Sequence, residues 1–93
     1  MTNNFNDVKV EARVYNKETV VVEFTYNNVT YVNCVDKDDL EYHNMLPQAF
    51  VFKRMVEPFV QVSGIKYNLD QLHEFNTSVY NLVSKFIKFP KEI

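Results

Sequence analysis

The chain has 93 residues, 46% hydrophobic and 15% aromatic, with a formal net charge of −2. That is one small domain with apolar side chains enough for a core, which excludes disordered, collagen-like and low-complexity readings. A single cysteine excludes an internal disulfide, and no apolar run approaches the ~18 residues that would span a bilayer.

Residues 1–7 carry neither a basic start nor an apolar stretch, so no signal peptide is expected and a cytoplasmic location is. Residues 1–7 and 89–93 are expected to fray around a single domain. Residues 8–15, Val-Lys-Val-Glu-Ala-Arg-Val-Tyr, alternate apolar and charged, the period-two pattern of a half-buried strand. After Asn16-Lys17-Glu18, residues 19–26 resume with β-branched and aromatic side chains. Asn27-Asn28 then separates them from residues 29–35, and because asparagine tolerates positive φ, a two-residue type I′ turn is predicted there.

That turn sets the register. Tyr26 falls opposite Val29, Phe24 opposite Tyr31, Val22 opposite Asn33 and Val20 opposite Val35, the more apolar face. Thr25/Thr30, Glu23/Val32 and Val21/Cys34 occupy the solvated one. For Val8, Val10, Ala12 and Val14 to join the apolar face, Val14 must oppose Val20 and Ala12 oppose Val22, which requires an odd loop of residues 16–18. A three-stranded antiparallel meander over 8–35 follows.

Asp36 is read as the N-cap of a short helix over 37–45, with acids in its first turn. Pro47 opens a second segment, 47–57, readable as a helix ended by Pro58 or as a strand. Residues 59–62 and 65–67 read as extended around Ser63-Gly64, with Gly64 at positive φ. The clearest element is a helix over 68–88. Asn68 and Gln71 form its capping signature, and Leu69, Leu72, Phe75, Val79, Leu82, Val83, Phe86 and Ile87 form its apolar stripe. The fold class is therefore α+β, with the long helix on the apolar face of the meander.

Chemical motifs are sparse. His73-Glu74 opens like a zincin motif, but Thr77 stands where the second histidine belongs. Asp36, Asp38 and Glu41 imitate a calcium loop, yet Leu40 and Pro47 occupy ligand positions. Cys34 could take His43 or His73 as a base, but its neighbours supply no oxyanion nest, and a mid-strand cysteine reads as a small buried hydrophobe. With one glycine there is no Walker loop and no dinucleotide fingerprint. Neither enzyme activity, nor a metal, nor a cofactor is expected. The sequons at Asn28 and Asn76 are discounted, because no secretion signal accompanies them.

Charge is uneven. Residues 1–46 hold eight acids against four bases, while residues 47–93 hold six bases against four acids. Lys85, Lys88 and Lys91 are the nearest approach to a phosphate-binding stripe, and they read more plainly as the cationic end of the last helix. The densest acidic run is Asp36, Asp38, Asp39 and Glu41, with Tyr42 beside it; these five are the expected partner-binding residues. Tyr15, Tyr42, Tyr67 and Tyr80 are natural interface side chains.

The expected function is that of a small non-catalytic protein-binding domain whose partner is a host protein with a basic surface. Residue usage typical of AT-rich genomes points to a low-GC bacterium or its phages. An inhibitor of a host or defence protein encoded by a phage or mobile element, with an anti-CRISPR-like role among its forms, fits that origin. Two alternatives stand beside it: a sheet-surface nucleic-acid binder using Phe24 or Tyr31 as stacking platforms, and a self-assembling structural protein joined through a strand edge. A monomer or a homodimer is compatible with the pattern, and no membrane contact is expected.

Overall fold

The computed structural model describes residues 5–36, 39 and 44–87. Strands β1 (Lys9–Val14), β2 (Thr19–Tyr26) and β3 (Val29–Asp36) form one antiparallel sheet in the order β1-β2-β3. The register is the one read from the turn: Tyr26 pairs with Val29, Phe24 with Tyr31, Val22 with Asn33 and Val20 with Val35. Across the first hairpin Val14 pairs with Val20 and Ala12 with Val22. Asn27 and Asn28 take φ of 53° and 66°, the left-handed pair that a type I′ turn demands.

Val20, Val22, Phe24 and Tyr26 are buried on the core face. The opposite face is less open than the alternation suggests. Val21 is 4% exposed there, because it pairs with Arg13, whose guanidinium reaches Glu23 at 2.9 Å. That ion pair also relieves Glu11 and Glu23, which sit directly opposite one another.

Two helical segments cover the core face. The first runs through residues 47–63 in three parts: α1 (Pro47–Val51), a π-helical stretch (Phe52–Val56) and α2 (Glu57–Ser63). This settles the 47–57 segment as helix and corrects the expectation that Pro58 ends it. An α-helix would need a donor at 58 and would set the proline ring against the carbonyl four residues back. Here the Glu57 N–H reaches five residues back to the Phe52 carbonyl, so the bonding step widens where proline has nothing to donate. Residues 59–62, expected extended, are therefore helical. Gly64 ends α2 with φ 71° and ψ 15°, the left-handed C-cap that glycine provides.

The second segment is α3 (Leu69–Val83), opened by a capping box in which the Asn68 side chain accepts from the Gln71 N–H at 2.8 Å. A further turn carries Ile87 into the core through its N–H to the Val83 carbonyl. The buried line is Phe75, Asn76, Val79, Tyr80 and Val83, while Leu72 and Leu82 are half-buried. Leu69, assigned by spacing to the apolar stripe, is 77% exposed. It occupies the first helical position, at the rim of an open groove shared with Gln48, Ala49 and Phe52.

Phenylalanines lock the layers together. Phe59 stacks on Phe24 with ring centroids 4.7 Å apart, and Phe75 approaches both rings at about 6 Å. Part of the stretch expected to fray is docked: Phe5, in a 3-10 turn (Phe5–Asp7), stacks on Phe75 at 4.4 Å. Residues 1–4 and 88–93 lie outside the described residues, as does most of the expected 37–45 helix.

Candidate functional site

Strand β3 leads into the acidic run. Asp36, read as a helix N-cap, is instead the last residue of β3, and its carboxylate accepts the Thr19 hydroxyl at 2.8 Å. The Asp39 N–H donates to the Asp36 carbonyl, turning the chain back toward the helices. Asp39 is not a free steering charge. Its carboxylate meets the Arg54 guanidinium at 2.5 Å, and Arg54 also lies over the Phe50 ring at 5.6 Å from the centroid. The π stretch that carries Arg54 thus neutralises one of the four expected acids. Asp38, Glu41 and Tyr42 lie outside the described residues.

Of the other expected interface tyrosines, Tyr15 is 70% exposed and Tyr67 is exposed, whereas Tyr80 is buried in α3. Cys34, expected to be buried, is exposed on the outer sheet face, where it pairs with Val21 at the margin. His73 is exposed on α3. Among the described residues no three of His, Cys, Asp and Glu gather closely enough to hold a metal ion. Asn76 is buried and its amide donates to the Gln48 carbonyl at 3.1 Å, which closes that sequon to a glycan in the folded chain.

The rings required for sheet-surface stacking are engaged inside. Phe24 is fully buried and Tyr31 packs edge-on against Phe59 with centroids 5.3 Å apart. Among the described residues no helix is long and apolar enough to cross a membrane.

A surface that residue-type reasoning passed over runs along the β3 margin. Val29 and Val32 stand exposed on the two faces of the strand, Val32 at 56%, and Val62 of α2, 72% exposed, shares a groove with Val32. Between strand and helix lies a groove of about 250 Å³ lined by Tyr31, Val32, Asn33, Pro58, Phe59 and Val62. The Asn33 amide, reaching toward the Met55 carbonyl at 3.5 Å, ties the strand to the helices above it. Residues 29–35 contain no charge, no proline and no glycine, whereas β1 on the other edge carries Lys9, Glu11 and Arg13. The signal was present in the register, which puts Val32 on the outer face opposite Glu23.

The chain matches no model of a known protein family, no curated protein and no solved structure.

Proposed function

We propose that this chain is a small non-catalytic protein-binding domain that engages its partner along the β3–α2 margin. The observation that carries the reading is the β3 edge without charges, with Val29 and Val32 exposed on its two faces and the exposed Val62 across the groove from Val32. Natural sheets blunt such edges with charge, proline or a covering element, so an uncharged edge flanked by exposed valines is a surface suited to being covered. Strand addition would supply main-chain hydrogen bonds, and the groove would receive alternate side chains. Asp36, at the end of the same strand, together with Asp38 and Glu41 would steer a host partner with a basic surface, as an inhibitor from a phage or mobile element would need. A cytoplasmic location accords with that role.

The test is affinity capture from host lysate with the native chain, with Val32→Lys and Val62→Glu, and with Leu69→Ala as a control. A stoichiometric partner held by the native chain and Leu69→Ala, and lost by the two margin variants, is expected. Equal recovery by all four would remove the margin from the reading. Repeated capture of no partner would count against protein binding altogether.

A further inference from the structure

We propose that the occupant of the β3 edge is a second copy of this chain, joined antiparallel about a two-fold axis through Val32. The inference rests on the protein-binding reading above: the second copy covers this margin in the free protein, and a host partner displaces it there. Tyr26 and Val29 close the two-residue turn as a hydrogen-bonded pair. Alternation along the ladder then directs the backbone groups of Val29, Tyr31, Asn33 and Val35 to β2, and those of Thr30, Val32 and Cys34 outward. Among the described residues no strand meets those outward groups.

A two-fold axis at Val32 sets Val32 against itself, Thr30 against Cys34, Tyr31 against Asn33 and Val29 against Val35. Each outward-facing pair exchanges two N–H···O bonds, so Thr30, Val32 and Cys34 are all satisfied by the same three residues of the other copy. The seven uncharged residues 29–35 pair only with one another, and Asp36 falls opposite Asn28 rather than another acid. No like charges meet. The same operation on β1 would bring its lysine, glutamate and arginine into play. Because the axis is perpendicular to the sheet, both helix layers stay on one side. Tyr31 of each copy then approaches the groove of the other beside Asn33 and Pro58, and the exposed Val62 side chains face across the join. The interface is isologous and closed, which limits assembly to a dimer.

The register is readable through Cys34, the sole cysteine, whose side chain is exposed on the outer face. In this pairing the two Cys34 Cα atoms lie about 15 Å apart, four residues along one strand and one strand across. The experiment is analytical ultracentrifugation of the full chain over a concentration series, with native protein, Val32→Lys and Val32→Thr, and dipolar spectroscopy with nitroxides on Cys34. A concentration-dependent species of twice the 11.1 kDa chain mass is expected for the native chain and Val32→Thr. Val32→Lys sets two lysines face to face on the axis and should weaken association about 100-fold or more, while the monomer keeps its fold because the new lysine sits opposite Glu23. Coupling between labels should match the 15 Å separation.

A native chain that stays monomeric at hundreds of micromolar overturns the proposal, as does growth beyond a dimer. A dimer that persists in Val32→Lys, or whose labels lie twice as far apart or more, also overturns it. If the chain is monomeric and Val32→Lys still loses a captured host protein, the self-pairing fails and the protein-binding reading stands.

Discussion

Phe59 is the residue on which the two layers turn, and Phe59→Ala is the most informative single perturbation of the fold. The ring is 1% exposed, stacked on Phe24 at 4.7 Å and met edge-on by Tyr31 at 5.3 Å and Tyr26 at 6.3 Å. Truncating a buried phenylalanine costs ~3–5 kcal/mol, and the lost aromatic pairs favour the upper part of that range. A domain of this length has ~5–14 kcal/mol in total, so the variant should sit near its folding threshold. Urea unfolding followed by circular dichroism at one fixed protein concentration measures the loss, fixed because any dimer would add stability by mass action. Phe59→Leu keeps most of the volume and should cost ~1–1.5 kcal/mol, which provides a readable step if the alanine variant does not fold. A loss below ~1 kcal/mol for Phe59→Ala, with an unchanged denaturant slope, would refute the packing of α2 on the sheet.

Along α3, Val79→Ala should cost ~2 kcal/mol and Leu69→Ala no more than ~0.5 kcal/mol, although spacing puts both on one stripe; thermal denaturation separates them. At the hairpin, Asn28→Val should destabilise by ~1–2 kcal/mol because φ is positive there, while Asn28→Gly should be neutral or slightly stabilising by the same measurement. Asp39→Asn should cost ~1–2 kcal/mol by removing a partly buried charged partner from Arg54, and in urea titrations most of that loss should persist at high salt. Gly64→Ala meets no neighbouring atom within 4 Å, so its penalty is the left-handed backbone alone, ~1 kcal/mol by thermal melt.

The meander was legible because two short-range rules act together there. Asn27-Asn28 fixes one hairpin, and the parity of residues 16–18 constrains the other, since a register one residue off turns Val10 and Ala12 outward. The start of α3 was legible for the same kind of reason, with Asn68 and Gln71 satisfying one another's backbone groups. Pro58 misled because the rule that proline ends a helix assumes bonds to the fourth residue back. Once 59–62 read as extended, the place of Phe59 against Phe24 could not be seen. The candidate site divided along similar lines. The acids around Asp36 could be counted, but the partner of Asp39 lies 15 residues further on, on a helical face that no local pattern positions. Exposure of Val62 likewise depends on how far α2 continues past Pro58.

The π stretch has a bearing on chain length. It is in effect an α-helix carrying one supernumerary residue, so the eight steps from Val51 to Phe59 turn like seven, close to two full revolutions, and both side chains are buried in the core. In an uninterrupted α-helix eight steps would leave them about 80° apart. Removing one exposed position, Lys53, would therefore convert the run to regular helix without rotating Phe59 off Phe24. It would also confront Pro58 with an ordinary carbonyl four residues behind it. The surplus residue and the proline are thus a complementary pair: loss of the residue alone breaks the helix, whereas loss of the residue together with Pro58→Ala leaves a shorter chain with the same core.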